Sequence, residues 1–164
     1  LAKSMFPTAQ VLLSDLDHAA LSLASENSQI HAIDGIVRGD LLSWCQALCV
    51  DIIIANPPYV AARDMQGLPA EYHHEPGLAL SGGDDGLDLV RVLLLDAARI
   101  LRPTGLLILE VGNSFEALEE LSEQLHPIWV ELEQGGHGVA VFMAQDLAQW
   151  AASEDIANPV VSGK

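Results

Sequence analysis

The chain has 164 residues, enough for one domain with its own core, and half of them are hydrophobic. No apolar run approaches the about 20 residues of a membrane span, and no basic segment leads into an apolar one, so no secretory signal is expected. Seven basic residues against 23 acidic ones give a formal net charge of −16. Such a surface repels phosphate backbones and speaks against stable nucleic-acid binding, while leaving room for a basic protein partner. Solubility alone is the simpler account of the charge.

In chain order, Val11-Leu12-Leu13-Ser14 reads as a short strand ending at Asp15, and residues 18–27 carry Ala20, Leu21, Leu23 and Ala24 at helical spacing. Ile36-Val37 is a second strand, closing at Gly39-Asp40. Cys45 and Cys49 are the only cysteines; their spacing suits neighbouring positions on a helical turn, not a zinc knuckle or a redox pair. The six histidines show no ligand spacing, and no metal is expected. Asp51 to Ala55 is continuously apolar after its first residue, the pattern of a strand buried on both faces of a parallel sheet. Residues 57–86 are irregular, with Pro57, Pro58, Pro69 and Pro76 and the turn cluster Ser81 to Gly86; an irregular stretch of that length in a compact domain is usually functional.

A helix is predicted from Leu87 to Leu101, stopped by Arg102-Pro103-Thr104-Gly105, and then a buried strand from Leu106 to Leu109 that ends at Glu110. Ser114 is placed as the N-cap of a helix to about Leu125, with Glu116 and Glu119 in its early turns. Ile128 to Leu132 and Val139 to Met143 are predicted strands around the glycine-rich turn 134–138, and the polar tail from about Ser153 is expected to fray. Strands alternating with helices and ending in an antiparallel hairpin describe a doubly wound α/β sheet with a reversed edge strand.

The residues richest in chemistry are Asn56-Pro57-Pro58-Tyr59, directly after the third strand. Two prolines cannot continue a ladder, so the chain leaves the sheet there. Asn56 then stands at the carboxyl end of a strand, where open α/β sheets place their ligands. An Asn side-chain carbonyl and the Pro57 backbone carbonyl offer two acceptors to one planar NH2 group, and Tyr59 offers an aromatic face. The four residues resemble the motif of methyltransferases that modify an amine conjugated to a π system, either the exocyclic amine of adenine or the amide of glutamine. Ordinary turn punctuation is the structural alternative.

Together with Asp64-Met65, Leu68-Pro69, Glu71-Tyr72, His74-Glu75-Pro76, Gly82-Gly83, Asp85-Gly86-Leu87, Glu110-Val111-Gly112-Asn113-Ser114 and Gly135-Gly136-His137-Gly138-Val139, this motif resembles the bacterial protein-glutamine methyltransferases. The resemblance runs from roughly Val11 to Leu147. It is nearest to the branch acting on the third protein of the large ribosomal subunit, with the release-factor branch as runner-up. It implies a Rossmann-like S-adenosylmethionine-dependent methyltransferase fold and a cytoplasmic enzyme with a protein substrate.

The resemblance also assigns roles. Asp15 matches the acid that binds the ribose hydroxyls of the cofactor, with Asp17 as a competitor, and Asp40 matches the acid that meets the adenine amine. Asn56 and Pro57 match the catalytic pair, Asn56 also bordering the cofactor. Pro58, Tyr59 and Glu75 join them in holding the substrate. For Asp15, Asp40 and Glu75, a turn, strand-end or salt-bridging role is the structural alternative.

The family's glycine-rich cofactor loop and first strand should precede Val11, and they do not occur here; nor does the family's N-terminal helical domain. Residues 1–152 are therefore expected to be the C-terminal part of a methyltransferase catalytic domain, with 153–164 a flexible tail. The fold is expected to be incomplete at its N-terminal end, and the chain by itself to have little or no activity. Open sheet edges left this way favour association, such as a homo-oligomer. Two competing functions remain, a DNA adenine methyltransferase, which the charge opposes, and a non-catalytic domain kept for interaction.

Overall fold

The computed structural model describes residues 2–57, 87–121, 125–131 and 138–157. Pro58, Tyr59 and Glu75 lie outside the described residues. The chain divides into two compact units, Leu1–Cys45 and Gln46–Lys164.

In the first unit, helix α1 (Ala2–Met5) leads to strand β1 (Leu12–Asp15), helix α2 (His18–His31) and strand β2 (Gly35–Arg38). The strands pair in parallel, from Leu12↔Gly35 to Asp15↔Arg38, with α2 as the crossover between them. Asp17 caps α2, its carboxylate accepting the Ala20 N–H at 2.9 Å. The helix ends at Ala32, whose left-handed backbone sends its N–H to the Ser28 carbonyl. Asp34 ties the unit together. Its Oδ2 accepts from Lys3 Nζ and from the Val11 N–H, each at 2.8 Å. These donors favour the ionised form and hold the Asp34 carboxyl below its ordinary value of 3.8.

The expected helical turn carrying both cysteines is not formed. Leu41 and Leu48 have φ of 45° and 53°, incompatible with a right-handed helix, and residues 41–44 and 47–48 form turns instead. Cys45 is buried and Cys49 exposed, and neither is in a disulfide.

The second unit is built on strand β3 (Val50–Ala55), helix α3 (Asp88–Ile100), strand β4 (Leu101–Glu110), helix α4 (Phe115–Leu121), strands β5 (Ile128–Trp129) and β6 (Val139–Met143), and helix α5 (Ala144–Ala157). The sheet order is β3-β4-β6-β5, with β3 parallel to β4 and β6 antiparallel to both neighbours. This is an α/β arrangement with a C-terminal antiparallel hairpin. The reversed strand is β6, lodged between β4 and β5, so it is not the edge strand expected from sequence; the hairpin folds its second arm inward onto β4.

Strand β4 begins at Leu101, earlier than predicted. Val50 pairs with Leu101 and Ile52 with Leu106, so Arg102 to Gly105 bulge out between two paired rows. Pro103 needs no ladder donor there. A Cβ on Gly105 would lie 2.9 Å from the Arg102 carbonyl oxygen and 3.0 Å from that of Asp51, so the close approach requires glycine. Arg102 Nη1 reaches both carboxylate oxygens of Asp51 at 2.9 Å, an exposed pair of roughly 0–1 kcal/mol.

The sheet has two unlike faces. Ile53, Leu107 and Phe142 form one cross-strand row and Leu109 and Ala140 belong to the next, all of them buried. α3 buries Val90, Leu93, Leu94, Ala97 and Ile100, a stripe at helical spacing, and packs on α5, which in turn packs on β4 and β6. The opposite face carries Ile52, Leu106 and Met143 in one row and Ile54, Ile108, Val141 and Ile128 in the next. There Ile52 is 47 % exposed and Ile54 68 %. Burial on both faces, expected for this strand, is therefore not observed. β3 ends the order of its sheet, with β4 as its pairing neighbour among the described residues.

The helix predicted from Ser114 starts at Phe115, after a 3-10 turn over Gly112–Ser114. α5 runs through Ala157, past the Ser153 where a tail was expected; alanines and acidic residues sustain it, and Ser153 Oγ donates to the Trp150 carbonyl at 2.6 Å. Among the described residues no helix is long and apolar enough to cross a membrane.

Candidate active site

In the first unit, Asp15 ends β1 and Asp40 lies two residues beyond the end of β2. Parallel register brings both acids to the carboxyl end of one strand pair: Asp15 is partnered with Arg38, and the Gly39 N–H donates to the Asp15 carbonyl at 3.1 Å. Both side chains are exposed. Asp15 Oδ1 also accepts the Asp17 N–H at 2.8 Å, so part of its role is to shape the entry to α2. Asp17, its competitor in the sequence, has Oδ2 engaged in the cap. The Asp40 carbonyl accepts from the N–H and hydroxyl of Ser43, closing a tight turn. Gly39 makes room for the Trp44 indole, whose Cδ1 would lie 2.1 Å from a Cβ at that position. Two exposed carboxylates at the ends of adjacent parallel strands fit a nucleoside, as acceptors for ribose hydroxyls and for an adenine amine.

In the second unit, Asn56 follows the last paired residue of β3; it is exposed, and Pro57 is buried. Since Ala55 pairs with Leu109, Asn56 and Glu110 leave the sheet side by side on parallel strands, about 5 Å apart. β6 enters at the same end. Glu110 pairs with Val139, the Val111 N–H donates to the Gly138 carbonyl at 2.7 Å, and the Val130 N–H to that of Val139 at 2.9 Å. The Phe115 ring meets Trp129 edge-on at 6.2 Å, fixing the start of α4 against β5. An exposed carboxamide thus stands next to a well-anchored turn. Sequence reasoning gave no role to Glu110, Gly112 or Gly138. The glycines in two separate motifs were the available signal; both have positive φ, a backbone that favours glycine.

No group of three or more His, Cys, Asp or Glu suited to a metal occurs among the described residues. Acceptors at strand ends suit a ligand that presents donor groups, such as a nucleoside.

Known proteins similar to this chain are described as methyltransferases. A family described as "Methyltransferase small domain" matches residues 1–71, which include Asp15, Asp40, Asn56 and Pro57. The chain is similar to proteins named ribosomal protein uL3 glutamine methyltransferase. It is 37 % identical over 150 residues to the protein so named from Francisella tularensis, covering 90 % of this chain and 48 % of that one. The corresponding values are 36 % over 150 residues, 90 % and 50 % for Bordetella pertussis. For Burkholderia pseudomallei they are 39 % over 157 residues, 90 % and 51 %. The chain spans about half the length of these curated relatives. Among solved structures, a TehB-like SAM-dependent methyltransferase from Corynebacterium glutamicum is 22 % identical with a TM-score of 0.44, covering 82 % of this chain and 67 % of that one.

Proposed function

We propose that the protein transfers a methyl group from S-adenosylmethionine to the side-chain amide nitrogen of a glutamine in the large-subunit ribosomal protein uL3, in the cytoplasm. The observation that carries this reading is the identity of 36–39 % to proteins named for that activity. The exposed Asn56 at the carboxyl end of β3 supports it. When bound, the cofactor supplies an activated methyl group. Asp15 accepts from its ribose hydroxyls and Asp40 from its adenine amine.

An amide nitrogen is a poor nucleophile because its lone pair is delocalised onto the carbonyl. The Asn56 side-chain carbonyl and the Pro57 backbone carbonyl accept the two N–H bonds of the substrate NH2, raise electron density on its nitrogen, and orient its lone pair toward the methyl group. No base is needed before attack; the proton leaves to water once the nitrogen carries positive charge. Fixed acceptors and in-line placement can supply several kcal/mol of barrier lowering. Pro58, Tyr59 and Glu75 complete the substrate side.

Labelled cofactor offered to the full-length protein with uL3, a peptide-chain release factor or DNA tests the reading. Label on a glutamine of uL3 is expected, and Asn56→Ala is expected to lower kcat about 100-fold or more. Label on the release factor alone would move the protein to the sister branch. Label on DNA is opposed by the net charge of −16.

A further inference from the structure

We propose that Gly112 and Gly138 are positioning residues for methyl transfer, because the backbone crossing they form fixes the turn after β4 as a wall of the acceptor site beside Asn56. The proposal rests on the reading of Asn56 given above. Two segments separated along the chain, Glu110 to Ser114 and Gly138 to Val139, meet at one point. Gly138 has φ of 83° and Gly112 φ of 46°. A Cβ on Gly138 would lie 2.5 Å from the Gly112 carbonyl oxygen, 2.7 Å from its nitrogen and 2.9 Å from its Cα. All three are backbone atoms, which cannot rotate aside as the end of a side chain can.

The crossing is anchored on every side. The Val111 N–H donates to the Gly138 carbonyl at 2.7 Å, and the Ser114 N–H to the Val111 carbonyl at 2.9 Å. Glu110 and Val139 form the paired row just below. Beyond it, Leu118 is fully buried and Phe115 rests on Trp129. On the other side of β4, one strand spacing away, stands Asn56. A methyl group added at Gly138 must push the 112–114 turn by roughly 1 Å to reach ordinary contact, and a misplacement of that size can cost about 100-fold in rate. The effect falls on the acceptor side of the reaction. Asp15 and Asp40, which hold the cofactor in this reading, belong to the other unit.

The test uses the full-length enzyme carrying Gly138→Ala or Gly112→Asn, assayed well below each variant's melting temperature. Cofactor Kd is measured by calorimetry, and kcat and KM on uL3. Asn tolerates the left-handed backbone of Gly112 while placing a side chain at the crossing. The expected result is a kcat lowered about 10- to 100-fold with cofactor Kd within about twofold of wild type. If Gly138→Ala gives no folded protein, Gly112→Asn decides alone. A kcat within about twofold of wild type overturns the proposal, as does a loss of kcat matched fold for fold by loss of cofactor affinity. Wild-type enzyme that methylates no glutamine refutes the functional reading instead, whereas active wild type, inactive Asn56→Ala and unaffected glycine variants refute only the present one.

Discussion

Two aspartates near the end of β1 show how the surroundings of a side chain divide the work between like residues. Asp17 holds the Ala20 N–H and is spent on the helix, while Asp15 holds one turn N–H and stands exposed at the strand end. Asp17→Ala in the full-length protein should therefore cost about 1 kcal/mol of stability, the usual value of an N-cap, with cofactor affinity little changed. Asp15→Ala should weaken cofactor binding by about 10-fold or more, since a carboxylate accepting hydroxyls is worth roughly 1.5–3 kcal/mol. Calorimetry on the two variants distinguishes them, and equal effects on cofactor affinity would contradict the assignment. Asp34 makes a different prediction. Its carboxyl is held below 3.8 by Lys3 and the Val11 N–H, so ionisation favours the folded state. That stability is fully present above the unfolded value and is lost as pH falls through the lower folded one. Asp34→Asn should accordingly lower the urea midpoint of the first unit at neutral pH, and the gap from wild type should close as pH drops below 3.8. A gap that stays constant with pH would mean that the carboxylate charge plays no part.

At the scale of elements, the two faces of the four-stranded sheet call for opposite mutational outcomes. Leu107 is fully buried and Ile54, one row up on the opposite face, is 68 % exposed. Leu107→Ala should cost about 2–5 kcal/mol, whereas Ile54→Ala should cost well under that. Chemical denaturation of the pair measures the difference, and similar losses would place Ile54 in a packed core. This contrast was invisible in the sequence, because Ile52, Ile53 and Ile54 are chemically alike and their run of apolar residues encodes no preferred face. What periodicity does encode was read correctly: the stripe of α3, the parallel strand ending at Asn56 and the hairpin around its glycines. The bulge at Arg102 to Gly105 was taken as a helix stop and nothing more, since Pro and Gly mark a break without saying that the paired strand already begins at Leu101. α5 was missed although Ala144, Leu147 and Trp150, all buried, fall three apart; the strand just before it and the polar residues between them masked the helical period. At the candidate site, Asn56 stands out in the sequence because proline and asparagine carry backbone meaning in themselves. The meeting of Gly112 with Gly138 was not, because a close backbone approach between distant segments leaves no spacing rule in the chain.

Across the whole molecule, burial is uneven in a way that bears on dynamics. Among the described residues of the first unit Cys45 alone is buried, while the second unit buries most of α3 and the inner rows of β4 and β6. Each fully buried leucine or phenylalanine contributes about 1.5–3 kcal/mol, so the second unit holds nearly all of the hydrophobic stabilisation visible here. The first unit is held by a parallel strand pair, the Asp17 cap, worth about 1 kcal/mol, and the exposed Asp34 cluster. Local opening free energies follow buried apolar contact, so the amides of α2, β1 and β2 should exchange with solvent at least about 100-fold faster than those of β3, β4 and β6 in the 164-residue chain. Because Asp15 and Asp40 sit in the less stable unit, a ligand that binds them should raise protection there selectively, by an amount that grows with its concentration over Kd. Hydrogen exchange followed by mass spectrometry, with and without S-adenosylmethionine, reads both effects. Equal protection in the two units before addition would show that they open as one, and protection gained only in the second unit would remove Asp15 and Asp40 from the cofactor site.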